Sequence, residues 1–526
     1  MARSSTKSFI TEVPLKVNSK QESELLARFQ AGRQVYNACL NEAMKRLELM
    51  RNSESYKVAN KISRAKKKER SNTFRKVCEQ FRYSEYDLHS FATKTSNAAK
   101  WIAQKVDSNT QQKLATRAFK ASERVLVGRA REVRYKVPSR FRSMEGKSNK
   151  TGIRWKDDCL VWGKLVLQPI IDPSNPVIRH GLESTVKYVR LLWRILNGKR
   201  RWYAQLVNEG EPYQKSQNYV VDGLIGLDLN ISNIAYVGDD HAGLLPFAEL
   251  VPTFQKEITE LQRKMQRSQR ANNSDFFEPN FEAKRGRKTV VNKGKVKKGV
   301  KKAKAKWNKS SNYLKAANKK RELERRKAAY AKTQNRRVVN EILRHGKHIK
   351  TENVSVRGWQ KRYGKAISAK SPGFVQSELL RKAENAGGTV IKFSTQKTAL
   401  SQTHLDGTRI KKALSQRVHR DVTGISDHHR DLFSAFLSRY VSQDALILQD
   451  AQDEYLGAAA FGGKLPPKTC LLEPILLEAY QQRITREQVS KSESTQIDSP
   501  SERVSNEPLT TSQVVNKDEK LDGDVA

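Results

Sequence analysis

The chain has 526 residues, enough for two to four domains, and its apolar fraction of 37% supports real cores. It carries 100 Lys and Arg against 55 Asp and Glu, a net charge of +45. That excess predicts a polyanionic partner, with nucleic acid the first candidate. No apolar run reaches the ~18 residues of a membrane span, no lipidation motif appears, and MARSSTKSFITEV lacks the apolar centre of a secretory signal. Neither membrane insertion nor export is therefore expected. The cysteines, Cys39, Cys78, Cys159 and Cys470, form no C-x-x-C pair, which argues against a disulfide framework and fits a reducing cytoplasm.

Residues 8–16, SFITEVPLK, read as a short first strand. The period then changes. Leu26, Phe29, Tyr36, Leu40, Met44 and Leu47 recur at threes, fours and sevens, the pattern of an amphipathic helix over 20–51. Residues 52–135 continue in the same basic, helical style. From about 150 the character becomes β. Two alternating runs flank Asn197-Gly198, a strong hairpin signal. Lys199, Arg200 and Arg201 follow that turn and either solubilise it or grip phosphate. The strand at 8–16 is expected to join this later sheet, making 17–135 a helical insertion.

Residues 211–221 read as a linker. GLIGLDLNISNIAYV (223–237) follows, two adjacent strands with a tight connection around Asn230-Ile231-Ser232-Asn233. A helix is expected from about 252. A dense basic stretch with little apolar pattern follows, containing Arg285, Arg287 and Lys288, and reads as a mobile loop tracking phosphate backbones. Helix returns at about 313–345. Then come a short strand within 346–358, a helix at 374–388 stopped by Gly387-Gly388, and a strand at 389–394, the order of an α/β layer. DLFSAFLSRYV (431–441) is a helix. The Ser-, Gln- and acid-rich residues from 480 onward read as a disordered tail.

Three lone carboxylates stand out. Asp228 lies in an apolar strand, where a charge costs several kcal/mol unless paired or bound to a cation. Taken alone it reads equally as a strand-end acid. Glu352 sits near the end of the later strand. Asp431 starts a helix, where an N-cap is the ordinary role. Together they form an oxygen-rich set suited to Mg²⁺ or Mn²⁺, and two such ions about 4 Å apart can cleave a phosphodiester.

GLDLNISNIAYVG resembles the first RuvC motif of the TnpB family, transposon-encoded proteins often labelled putative transposases. VYNACLNEAMKRLELMR, HIKTENVSVRGWQK, SPGFVQSELLRKAENAGGTVIKFSTQKTALSQT and LSQRVHRDVTGISDHHRDLFSAFLSRYV fit the same family in order. The resemblance covers about residues 8–445 and is strongest from 221. It implies a multidomain α/β protein. A β-barrel wedge domain (1–16 and 136–215) would be interrupted by a helical recognition domain (17–135). An RNase H-like RuvC nuclease domain would span 221–450, with a basic insertion at 284–312 and a degenerate zinc-finger loop at 400–430. A C-terminal extension (451–526) would be disordered from about 480. By position, Asp228, Glu352 and Asp431 match the family's three catalytic, metal-binding carboxylates. Such proteins resemble type V CRISPR effectors and use a transposon-derived guide RNA to cleave double-stranded DNA.

One departure concerns the loop. Where the family usually carries two cysteine pairs that bind zinc, this chain reads THLDG (403–407) and HRDVTG (419–424). His404, Asp406, His419 and Asp421 offer a His/Asp set, but structural zinc prefers Cys and His, so no zinc is expected. Asn230 also replaces the Gly common in the first motif, a mild change because Asn tolerates positive φ. The reading is an RNA-guided, Mg²⁺-dependent DNA endonuclease of an insertion sequence, cytoplasmic and nucleoid-associated. The alternative is an RNA-guided DNA-binding protein without cleavage, a repressor or targeting subunit.

Overall fold

The structure, a computed structural model, describes residues 6–286, 288–302, 307–413, 415–456, 474–482, 484, 485 and 488. The chain divides into two compact units, one ending at Tyr213 and the other beginning at Gln214.

The first unit opens with β1 (Ser8–Lys16). Six helices follow: α1 (Ser19–Asn52), α2 (Glu54–Lys61), α3 (Lys67–Gln80), α4 (Glu85–Ala98), α5 (Lys100–Lys105) and α6 (Ser108–Leu126). Asn18 and Gln21 form a reciprocal capping box that starts α1. The chain then returns to strands: β2 (Ser143–Glu145), β3 (Ile153–Lys156), β4 (Cys159–Trp162) and β5 (Leu165–Pro169). After α7 (Pro176–Glu183) come β6 (Val186–Leu196) and β7 (Lys199–Glu209). The sheet order is β2-β6-β7-β1-β5-β4-β3. β1 pairs with β7 from Ser8↔Glu209 to Leu15↔Trp202, so all six helices are inserted between strands of one sheet. Asn197 and Gly198 both take positive φ, 48° and 75°, as the two-residue turn joining β6 to β7 requires. Phe29 of α1 meets Trp202 of β7 edge-on at 5.2 Å, within one core that the helices and sheet share. A second cluster, including Leu47, Met50, Val77 and Tyr83, holds the far ends of the helices.

The second unit begins with β8 (Leu224–Leu229), β9 (Asn233–Val237) and β10 (Ala242–Pro246). It continues through α8 (Gln255–Ala271), β11 (Phe281–Arg285), β12 (Lys288–Asn292), α9 (Lys298–Lys302) and α10 (Ser311–Leu343). Next are β13 (His348–Glu352), α11 (Val356–Lys370), α12 (Pro372–Asn385), β14 (Val390–Phe393) and α13 (Thr395–Thr398). β15 (Val418–His419), β16 (His428–His429), α14 (Arg430–Ser438), β17 (Val441–Ser442), β18 (Ala445–Leu446) and α15 (Leu448–Leu456) complete it. Its main sheet is mixed, in the order β10-β9-β8-β13-β14. β8, β13 and β14 run parallel, while β9 and β10 fold back antiparallel.

Strand alternation assigns the two faces of β8. Ile225, Leu227 and Leu229 join Val339, Ile342 and Leu343 of α10 and Val375 and Leu379 of α12 in one core. Gly226 and Asp228 point the other way, toward α14. A Cβ at Gly226 would stand 2.0 Å from the carbonyl oxygen of Ala435, so only glycine lets α14 lie this close to β8.

Two stretches depart from expectation. The basic run at 284–312 is not irregular throughout: β11 and β12 form a hairpin, closed at Gly286 with φ of 60°. Thr289, Val290 and Val291 supply β-branched pairing that the surrounding lysines obscure in the sequence. Residues 356–370, which overlap the end of the 346–358 stretch read for its strand, form α11, capped by the Ser355 side chain. Of the tail expected to be disordered from about 480, residues 480–482, 484, 485 and 488 are helical, and the rest lies outside the described residues.

Candidate metal and nucleic-acid site

β8 and β13 lie side by side in parallel register, with Thr351 opposite Leu227. Glu352 and Asp228 each stand one residue further along, at the carboxyl ends of neighbouring strands. In open α/β sheets that edge is where ligands bind. α14 crosses the same face of the sheet and carries Asp431 in its first turn, 1% exposed. The three acids thus come from well-separated stretches of the chain and converge on one point.

The electrostatics report this convergence. Burial raises the pKa of Asp228 well above the usual carboxylate range, and the negative charges of Asp431 and Glu352 raise it further. Arg430 and a hydrogen bond from Ser434 work in the opposite direction. Burial pushes Glu352 up to about 7. Asp431 lies 3.5 Å from Arg430 Nε and 3.5 Å from Arg417 Nη1, and its backbone N–H donates to the His429 side chain, the N-cap of α14. Asp431 is therefore not itself the cap; it lies just inside the helix.

Sequence reasoning does not single out Ser434, Arg430, Arg417 or His429. Ser434 carries a signal: at i+3 from Asp431 it shares that acid's helix face. The arginines carry none, since basic residues are everywhere in this chain.

Asp228 and Glu352, whose proton affinity burial raises, and the buried Asp431 gather beside one buried guanidinium, an acid-rich set. Oxygen donors of that kind fit a hard divalent cation such as Mg²⁺ or Mn²⁺.

The predicted basic residues divide. Lys199 and Arg201 are exposed at the β6–β7 turn. Arg200 is instead engaged within its unit, pairing with Glu22 at 2.7 Å and stacking its guanidinium 4.9 Å above Trp193. Arg285 and Lys288 flank the β11–β12 turn. Arg287, and the side chains of Arg285 and Lys288, lie outside the described residues. In the 400–430 loop His404, His419 and Asp421 come together, while Asp406 stands apart and accepts from Thr408 in its own turn. Among the described residues no helix is long and apolar enough to cross a membrane.

No family model matches the chain, and no curated protein matches it. Among solved structures it is similar to the cryo-EM structure of a Cas12f1–sgRNA–target DNA complex. The two are 11% identical, with 82% of this chain and 98% of that chain covered and a TM-score of 0.37. It is also similar to the cryo-EM structure of a CRISPR–Cas12f ternary complex, at 11% identity, with 82% and 83% covered and a TM-score of 0.25.

Proposed function

We propose that this chain is an RNA-guided, metal-dependent DNA endonuclease of the TnpB type, with an RNase H-like nuclease unit from 221 onward and an amino-terminal wedge carrying inserted helices. The observation that carries the reading is the convergence of Asp228, Glu352 and Asp431, with the Asp228 carboxyl raised by burial and then by both of its partners. A purely structural cluster would have little reason to gather three acids beside only one buried arginine.

In this reading the three carboxylates hold Mg²⁺ or Mn²⁺, which when bound activates water and stabilises the leaving oxygen of a phosphodiester. Ser434 orients the Asp228 carboxylate. Arg430, 3.5 Å from Asp431, offsets part of the enclosed charge. The exposed Lys199 and Arg201, with the basic hairpin around Arg285, Arg287 and Lys288, contact phosphate backbones. The net charge of +45 fits guide RNA and double-stranded DNA as partners, and the guide itself is inferred from the family resemblance.

The second reading, RNA-guided DNA binding without cleavage, draws on one observation. Arg430 and Arg417 already stand against Asp431 and supply charge that a metal would otherwise bring. Co-expressed RNA, purified with the protein and sequenced, provides the matching duplex for the test. With Mg²⁺ the nuclease reading expects a cut that Asp228→Ala abolishes while binding persists. Binding without any cut by the natural protein would select the second reading.

A further inference from the structure

The loop before α14 occupies the place where the TnpB family usually carries paired zinc-binding cysteines. Here His404, His419 and Asp421 bring their donor atoms within 4.8 Å of one another. Both histidines are buried, at 2% and 1% exposed. We infer that this cluster, completed by Lys412, is a metal-free strut that holds α14, and so Asp431, against the sheet. The cluster's own geometry carries the inference; only the cleavage readout below rests on the nuclease reading.

The donors are already committed to each other. His419 Nε2–H donates to Asp421 Oδ2 at 2.8 Å, and Lys412 Nζ donates to His419 Nδ1. The same Asp421 oxygen accepts the Leu405 backbone N–H at 2.9 Å. The other oxygen accepts from Thr423 N and Oγ1 at 3.0 and 2.8 Å. The Val422 backbone N–H donates to His404 Nδ1 at 3.2 Å. Only His404 Nε2 is without a partner among the described residues of the cluster. A structural zinc site closes with four Cys or His donors. This cluster offers three, one of them a carboxylate, and its fourth candidate, Asp406, is bonded within its own turn. An ion here would have to break the His419–Asp421 hydrogen bond beside the Lys412 ammonium. The residues therefore do not fit zinc.

The strut reaches the catalytic helix by two routes. His419 of β15 pairs with His428 of β16, and Arg430 N–H donates to the Arg417 carbonyl at 2.7 Å, which fixes where α14 begins. The His419 ring also stacks on Phe433, centroids 4.0 Å apart and planes 21° apart. Phe433 lies two residues beyond Asp431, so a shift of His419 is passed to the helix directly.

The test uses the full chain. Purified protein should contain less than ~0.1 zinc per chain by elemental analysis. Its melting temperature and cleavage rate should be unchanged by a zinc-selective chelator that spares Mg²⁺. About one zinc per chain, lost in His404→Ala, would overturn the inference, as would inactivation by that chelator. For positioning, His419→Ala should slow cleavage about tenfold at saturating target, with the Kd for guide RNA and DNA unchanged and no rescue by added zinc. Free imidazole should restore part of the rate to His419→Gly. If the His419 variants do not fold, Phe433→Leu removes the ring stacked on His419, together with its contacts to His428 and Phe436, and should also slow cleavage severalfold. Full rate in Phe433→Leu and in any folded His419 variant would refute the positioning role. A natural protein that never cleaves would count against the nuclease reading alone, since zinc content and melting still judge the strut.

Discussion

Replacing Glu352 by glutamine should stabilise the metal-free protein at alkaline pH while destroying its activity. Burial holds the folded-state pKa of Glu352 at about 7, against an ordinary 4.5. Between those values the folded chain keeps a proton that the unfolded chain has lost. Stability therefore falls as pH rises through that window, and the deficit is complete above about 7. A difference of about 2.5 pKa units corresponds to about 3 kcal/mol. Part of the side chain remains in water, which makes this figure a ceiling. A glutamine amide at this position would carry no charge at any pH and would escape the penalty. At about 2–4 °C per kcal/mol for a unit of this size, Glu352→Gln should melt up to about 6–12 °C higher than the natural chain at pH 8.5 in EDTA. At pH 5 the two should melt nearly together. Thermal denaturation at the two pH values measures this directly. A Glu352→Gln protein less stable than the natural one at pH 8.5, or a difference independent of pH, would refute the reasoning. Added Mg²⁺ should raise the melting temperature of the natural protein at pH 8.5 and leave Glu352→Gln nearly unmoved, because a cation relieves the same buried charge.

Other perturbations follow from single contacts. Gly226→Ala would drive a Cβ into the Ala435 carbonyl. It should destabilise by about 1–3 kcal/mol and lower cleavage more than nucleic-acid affinity, as melting and turnover assays will show. Ser434→Ala removes a hydrogen bond that favours ionised Asp228, so half-maximal Mg²⁺ should rise severalfold, and the rise should grow as pH is lowered. Lys199→Ala and Arg201→Ala should each flatten the salt dependence of nucleic-acid binding by about one unit of slope. Arg200→Ala should instead lower the melting temperature, since its guanidinium serves Glu22 and Trp193.

How much the sequence discloses depends on whether a feature is local. Asn197-Gly198 marks its hairpin because the turn itself demands positive φ. The apolar spacing of Leu40 and Leu47 reports the buried face of α1 for the same reason. Asp228 is conspicuous among Leu and Ile, yet its partners are set by the parallel register of β13 and the crossing of α14. Neither of these is written in the spacing: Glu352 and Asp431 stand out only as lone acids at a strand end and a helix start, and the family motifs supply the reason to join them to Asp228. What stays hidden is compensation between distant groups. Arg200 looks like any other basic residue until Glu22 is seen beside it. Thr289-Val290-Val291 reads as loop because lysines surround it. The His404–Asp421–His419 cluster looks like decayed metal ligands, and only the placement of Lys412 and Asp421 against the two ring nitrogens of His419 shows what engages them.

The proposed nuclease stands on Asp228, Glu352 and Asp431 making one metal-dependent cutting site. Its most direct test is cleavage of an end-labelled duplex matching the co-purified RNA, with Mg²⁺, by the natural chain and by Asp228→Ala at equal bound fraction. A defined cut by the natural chain and none by the variant is the expected result. Equal cutting by both would contradict it.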